Sequence, residues 1–586
     1  MGPRCLYYIR LMCGIVAIVT PERRLSSAAE ATRMVTALRH RGPDRQAIHS
    51  FGRCTLGTAR LSIVDIVGGD QPILSTDGQT GVTFNGAIYG FREIKTTLAG
   101  YPFKTATDTE VILALYDQYG DNFLSHLPGM FAFALWDERR QALVCARDRF
   151  GEKPLYYAHG AQGEFLVASE IKALLTSGLI DPVLNRQAIS HYLQRLHVHP
   201  TQTIYANVHV LPPAHVLRLH DGRLEVVRYW EPPNSAEGMT MPAAAGRFRE
   251  LFDAAVQKQL VADVPVGVFL SGGVDSSTVA AVASRHTQGL KTFSFGFREG
   301  VENELPFARG MSERYGTRHF ELTDDDVDVP ALLWRMQDIY DEPFGDSSSI
   351  PTFLISEFAR RHVTVVLGGD GADELLGGYL YWSRDLLKAP ADARSLVHRY
   401  AHRDRVYFTP EEQRQMGQAV ETDSLTDFGR YRTGAVGDML RFDMELYLPG
   451  DVLVKTDRAS MASSLELRAP FLDVDLASFC LSLPDHLKVD DEREKLVLRH
   501  AYENLWTPGI QNRAKQGFGG PMPEWLASPE LAELKRDWLG DRNQAIFGVL
   551  DFNGVQPFVE LNNQQTWSLL VLALWMSRHP CSLPAN

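Results

Sequence analysis

The sequence predicts two unlike halves, a sheet-rich α+β unit followed by an α/β unit built on a doubly wound parallel sheet. Three observations carry this reading. Short β-type runs crowd the first two hundred or so residues with only two helical periods between them. A proline-rich break follows from Val208 to Pro233. Beyond it, apolar runs alternate with helical segments, the pattern of buried parallel strands and crossover helices.

The strand runs of the first half are Gly14 to Val19, Gly57 to Ile63, Gly81 to Tyr89, Met130 to Asp137, Ala142 to Arg147 and Leu155 to Ala158, with helical periods at Ala28 to Arg39 and Thr109 to Tyr119. The break contains Pro212, Pro213, Pro232, Pro233 and the turn pair Asp221-Gly222. In the second half the strand runs are Val264 to Leu270, Lys291 to Phe297 and His362 to Leu367, and Ser276 to His286 has a helical period. The polar stretch from Ala389 to Gly437 reads as helical elaboration. The expected division is therefore an extension over 1–12, a first domain over 13–207, a linker over 208–240 and a second domain over 241–586.

Composition excludes several classes. The 586 residues are 45% hydrophobic and 22% charged, enough for large cores. Lys plus Arg number 59 against 72 for Asp plus Glu, a net charge of -13. A general nucleic-acid or anionic-membrane binder would carry a basic excess instead. Six scattered cysteines form no CxxC pair and no disulfide framework. No run approaches the roughly 20 apolar residues of a membrane span. The expectation is a cytoplasmic protein with reduced thiols that binds neither nucleic acid nor membrane.

The strand run ending at Leu270 leads into Ser271-Gly272-Gly273-Val274-Asp275-Ser276-Ser277 and then into a helix. Glycines let backbone N–H groups converge, the helix N-terminus favours an anion, and serine hydroxyls add donors. Such a loop holds phosphate, though without the Lys-containing pattern of common kinases. Asp275 would be repelled by bare phosphate, so its sensible role is to hold Mg²⁺. A second glycine and acid turn runs from Leu367 to Tyr379. Asp373 there could supply a second Mg²⁺ carboxylate, with Asp370 and Tyr379 available for proton handling. Two such loops at strand C-terminal ends would flank one crevice.

The first loop resembles that of the PP-loop ATP pyrophosphatases. In the first half, Met12-Cys13-Gly14-Ile15-Val16 is followed by Arg39-His40-Arg41-Gly42-Pro43-Asp44, by Ala59 to Val64, by Asn85-Gly86-Ala87-Ile88-Tyr89 and by Thr107-Asp108-Thr109-Glu110. That ordered set resembles the class II glutamine amidotransferase domain, an αββα N-terminal nucleophile fold. A glutaminase joined to a PP-loop synthetase resembles the glutamine-hydrolysing asparagine synthetases over nearly the whole chain. Val454 to Met461, Leu465 to Asp473, Arg493 to Leu496 and Lys515-Gln516-Gly517-Phe518 agree with it.

The resemblance implies roles. Cys13 is the nucleophile, its own α-amine the base, and Asn85 with Gly86 the oxyanion hole. Arg60 pairs with the glutamine α-carboxylate and Asp108 with its ammonium, while Leu61, Ser62, Ile63, Val64 and Ala87 complete that pocket. For ATP, the implied set is Phe269 and Phe295 at adenine, Ser271, Gly272, Gly273, Asp275 and Ser276 in the loop, Gly368 and Gly369 at ribose or phosphate, and Lys495 on pyrophosphate. Asp370 occupies the position of an acid needed for the acyl-adenylate. The expected partners are glutamine and a carboxylic acid acceptor, aspartate or an analogue, with a homodimer as the assembly to test.

Three departures open an alternative, a relative of specialised metabolism with another acceptor or γ-glutamyl donor. Ala87 stands where the family usually has Glu, Gly368 where it often has Ser, and twelve residues precede Cys13. A free α-amine on Cys13 then requires translation from Met12 with removal of that methionine, or propeptide cleavage. The segment Met336 to Ala359, where the resemblance would put an acceptor-binding arginine, has no Lys or Arg but carries Asp338, Asp341, Glu342, Asp346 and Glu357. The cation would then come from elsewhere, for instance Lys455 or Arg458, or the acceptor lacks a free α-carboxylate or carries a positive group. A scaffold protein on a degenerate synthetase fold and a tRNA-modifying PP-loop enzyme are the more distant alternatives.

Overall fold

The computed structural model describes residues 13–21, 27–233, 238–297, 303–324, 327–383, 386, 393–403, 406–418, 430–431, 436–513 and 517–583. The expected extension 1–12 with Met12, and Lys515 and Gln516 of the late motif, lie outside the described residues.

The first unit contains β1 (Gly14–Val19), β2 (Arg45–Ser50), β3 (Cys54–Arg60), β4 (Ile73–Leu74), β5 (Thr80–Ala87), β6 (Met130–Asp137), β7 (Ala142–Arg147), β8 (Tyr156–His159), β9 (Phe165–Ala168), β10 (Val208–Val210), β11 (His215–His220) and β12 (Arg223–Arg228). They pair into two sheets of orders β10-β8-β9-β1-β3-β2 and β12-β11-β7-β6-β5-β4. The period-2 alternation of β1 decides its packing. Ile15, Ala17 and Val19 enter the layer between the sheets with Ala132, Ala134 and Trp136 of β6. Val16 and Ile18 face outward onto Ala31, Met34 and Val35 of the helix Ala28–Ala37. On the far sheet, Phe84, Phe131 and Phe133 are covered by the helix Glu110–Tyr119 through Val111, Ile112 and Leu115. The layering is the expected αββα.

The expected linker is corrected over 208–228. β10 pairs with β8, and β11 pairs with both β7 and β12, so these residues complete the two sheets. Asp221-Gly222 is a hairpin turn, with φ 50 and φ 72. That turn chemistry joins strands of one sheet rather than separate domains.

The second unit is a five-stranded parallel sheet of β13 (Val266–Phe269), β14 (Lys291–Gly296), β15 (Arg318–Thr323), β16 (Val365–Leu367) and β17 (Glu466–Arg468), in the order β15-β14-β13-β16-β17. The chain steps outward from β13 to β15 and then returns to the opposite side of β13. This reversal leaves a crevice at the C-terminal ends of β13 and β16, the standard ligand position in doubly wound sheets. The described parts of the expected elaboration are helical at Ala393–Arg403, Pro410–Gln415 and Val436–Phe442. Among the described residues no helix is long and apolar enough to cross a membrane. Cys13, Cys54, Cys145, Cys480 and Cys581 are free thiols.

Candidate active site

Two sites lie on opposite sides of β17. In the first unit, Cys13 immediately precedes β1 and is 8% exposed. The amide of Leu61 donates to its Sγ at 3.4 Å, and the thiol faces the Leu61 carbonyl at 3.8 Å. Burial pushes the thiol up to about 12, with the Leu61 backbone and Arg60 acting in the opposite direction. Such a thiol is protonated near neutrality, so it needs an adjacent base to become a nucleophile.

Asn85 on β5 is fully buried, and neither Nδ2 nor Oδ1 has a hydrogen-bond partner. A buried amide without a partner costs free energy, so its place in the fold calls for a functional or solvent partner. Gly86 beside it has φ 148, and a Cβ there would fall 2.1 Å from the Met130 carbonyl oxygen, so no larger residue fits. Asp108 accepts from the Ile88 amide at 2.9 Å and the Thr107 hydroxyl at 3.1 Å, and burial raises its carboxyl above the ordinary range. Ala87 packs on Tyr89 and Met130. Leu61 and Ile63 are buried, while Ser62 and Val64 are partly exposed.

Arg60 is committed elsewhere in this structure. Its Nη1 reaches Asp70 at 3.0 Å and the Ile66 carbonyl at 3.2 Å, and Nη2 reaches the Asp65 carbonyl at 2.7 Å and that of Val64 at 3.3 Å. The loop after β3 thus wraps the guanidinium, and a glutamine carboxylate would have to displace part of it.

In the second unit, Phe269, Ser271, Gly272, Gly273, Asp275, Ser276, Phe295, Gly368, Gly369, Asp370, Asp373, Tyr379 and Lys495 all line one cavity of about 940 Å³. The helix after the first loop begins at Val274, which puts Asp275 and Ser276 in its first turn. The Ser271 and Ser276 hydroxyls are 3.1 Å apart, and Gly272 has φ 76 where a Cβ would meet Phe307 at 2.5 Å. A Cβ on Gly369 would lie 3.0 Å from that of Asp275, so the two loops abut. Between them stands Lys495, itself at φ 58, with Nζ 2.6 Å from both Asp275 and Asp373. Burial opposes its charge, but the two carboxylates hold it above the usual lysine range.

One cation already bridges these carboxylates, so they converge closely enough for Mg²⁺. Among the described residues no group of three or more His, Cys, Asp or Glu could hold a metal alone. Two carboxylates completed by substrate phosphates is the usual Mg²⁺ arrangement, and these residues fit it.

Burial raises Asp370 to about 6, with Lys455 pulling against the shift. Glu374, which sequence reasoning passed over, is raised to about 8 by burial and by Asp373, and accepts from the Tyr379 hydroxyl at 2.9 Å. It lines the same cavity.

The five acids of the 336–359 segment separate. Asp338 pairs with Arg578, Asp341 with Arg458 and the Ile171 amide, Glu342 with the Ile204 amide, and Glu357 with Arg335. Asp346 alone of the five lines the cavity, 2.7 Å from Lys455, which also approaches Asp451 at 3.8 Å. Arg458 is spent on Glu170 and Asp341, whereas Lys455 faces the cavity.

Sequence reasoning also missed what joins the two sites. Arg468 on β17 pairs with Glu466 at 2.5 Å, and its positive charge acts on Tyr89 and Asp108 in the glutaminase half. Two charged residues inside an apolar strand run were the available signal.

The asparagine synthase family model matches residues 247–577, and the glutamine amidotransferase domain model matches residues 12–230. A Mycobacterium bovis protein, described provisionally as a glutamine-hydrolysing asparagine synthetase, is 33% identical over 96% of this chain and 97% of its own length. Glutamine-hydrolysing asparagine synthetase 1 of Bacillus subtilis is 30% identical over 97% of this chain and 96% of its own. Asparagine synthetase 3 of Arabidopsis thaliana is 31% identical over 85% and 76% respectively.

Proposed function

This chain belongs to the glutamine-hydrolysing asparagine synthetase family, and from that premise we propose that its ATP-driven amidation acts on an amino-acid carboxylate of the aspartate type. Cys13 Sγ attacks the glutamine side-chain amide while Asn85 Nδ2 and the Gly86 amide receive the oxyanion. The C–N bond breaks to release ammonia and leave a glutamyl thioester, which water hydrolyses to glutamate and the free thiol. In the second unit the acceptor carboxylate attacks the α-phosphorus of ATP, giving an acyl-adenylate and pyrophosphate, and ammonia displaces AMP. Asp275 and Asp373 would hold Mg²⁺, which would supply charge neutralisation at the phosphates. Lys495 then turns from these carboxylates to the pyrophosphate.

The observation that carries the acceptor reading is the Lys455 and Asp346 pair, 2.7 Å apart in the cavity that holds both phosphate loops. A cation and an anion side by side match the α-carboxylate and α-ammonium of an amino acid. Incubation with ATP, Mg²⁺ and glutamine should convert L-aspartate to asparagine with release of AMP. Succinate, which lacks the ammonium, should react poorly.

A second reading rests on Asp451, which makes the cluster two carboxylates to one lysine. An acceptor with an ammonium and no second carboxylate would suit that balance better. Preference for the α-amide of aspartate over aspartate itself, read by mass spectrometry, would establish it and overturn the first.

A further inference from the structure

Besides β17, the helix Leu453–Ala462 touches both units. Lys455 projects from it into the ATP-side cavity. Two residues on, about 200° around the helix, Asp457 points the other way, into the glutaminase unit. Its Oδ2 accepts from Arg41 Nη1 at 2.8 Å and its Oδ1 from Arg41 Nη2 at 3.0 Å. The remaining donor of that guanidinium, Nε, reaches the backbone carbonyl of Cys13 at 3.3 Å. Arg41 is 0% exposed and Asp457 6%, so water competes for neither.

We infer that Asp457 is a positioning residue for the glutamine-site nucleophile, acting across the domain boundary through Arg41. A planar guanidinium held by a carboxylate on one edge has its Nε–H direction fixed. That direction sets the plane of the Cys13–Gly14 peptide and therefore the bearing of the Cys13 side chain. Glu170 at 2.8 Å from Arg41 Nη1 and Lys153 at 3.6 Å from Asp457 complete the surroundings. Glu170 also takes Arg458, the residue next to Asp457 on the same helix, at 2.8 Å. The bond to the nucleophile's carbonyl is thus anchored in the synthetase unit. A misplacement of a reacting group by about 1 Å costs rate, up to about a hundredfold, rather than affinity.

The inference rests on Cys13 being the nucleophile, and the experiment separates the two. Glutaminase kinetics and ammonia-supported AMP formation are measured on the full-length protein, its Asp457→Asn, Asp457→Glu and Arg41→Lys variants, and Cys13→Ala. Asp457→Asn should lower glutaminase kcat at least tenfold with the glutamine KM within twofold of the parent, and should leave ammonia-supported synthesis intact. Asp457→Glu should recover most of the lost kcat. Arg41→Lys keeps the charge but loses the fork, and should repeat the kcat loss even if Asp457→Asn fails to fold. A parental glutaminase kcat in Arg41→Lys overturns the inference, as does equal loss of both activities in the variants, which would make the cluster structural only. Glutaminase surviving in Cys13→Ala would overturn the nucleophile assignment itself.

Discussion

The backbone amide of Gly368 donates a 2.8 Å hydrogen bond to the carbonyl of Arg468. The first residue belongs to the second phosphate loop. The second sends its side chain to the opposite side of β17, toward Tyr89 and Asp108. One short edge strand therefore supports the backbone of the second glycine loop and carries charge toward Tyr89 and Asp108. The two half-reactions share a wall while using separate groups.

Separate groups should be separable by mutation. Cys13→Ala is expected to abolish glutamine use and leave ammonia-supported synthesis. Asp275→Asn removes one carboxylate from the Lys495 cluster and should do the reverse, sparing glutaminase and losing pyrophosphate release. Glutaminase assays beside pyrophosphate detection, with glutamine or ammonium chloride as nitrogen source, check both.

The pH dependence follows from the buried thiol. With Cys13 raised to about 12, its thiolate population increases about tenfold per pH unit across pH 7 to 10 without a plateau. Alkylation of a chain that retains residues 1–12 should rise with pH in that way. Release of a free α-amine on Cys13 should add a base beside the thiol and bring glutaminase activity to neutral pH. Intact mass and alkylation rates of the two forms give the comparison, and an active protein beginning at Met1 would contradict it.

Under the proposed assignment of the glutamine pocket, Ala87 leaves Asp108 as the acid to meet the substrate ammonium. A missing charge-assisted hydrogen bond costs about 1.5 to 3 kcal/mol, or roughly ten- to a hundredfold in binding. Ala87→Glu should therefore lower the glutamine KM by about tenfold at unchanged kcat. An unchanged KM would point to a different γ-glutamyl donor.

Lys495→Met leaves Asp275 and Asp373 facing each other without their shared cation. Breaking a buried ion pair on one side costs about 3 to 5 kcal/mol, so the variant should melt well below the parent in EDTA. Mg²⁺ should restore more of that loss than in the parent, because it takes the lysine's place between the carboxylates. Thermal melts with and without Mg²⁺ test the metal assignment without relying on activity.

That the two glycine loops would meet at one cavity was legible in the sequence because a glycine turn between a strand run and a helix is a local device. Its backbone geometry depends on four or five consecutive residues, so motif and structure coincide at Ser271 to Ser276 and at Gly368 to Asp373. The α/β order of the second half was legible for the same reason, since period and turn chemistry are local. The linker expectation failed because proline and Asp-Gly turns mark hairpins as well as domain boundaries, and only pairing with β7 and β8 distinguishes them.

Tertiary structure alone decided the fate of the charges. Asp341, Glu342 and Asp346 stand within six residues, yet two anchor the units to each other and one enters the cavity. Lys455 and Arg458 are three apart on one helix, yet the first faces the cavity and the second pairs with Glu170 and Asp341. A buried charge takes whatever partner the fold brings within about 3 Å, and Arg41 meets Asp457 across 416 positions of chain. No local pattern encodes such a pairing, because it is the packing of the two units that removes water and makes the partner obligatory.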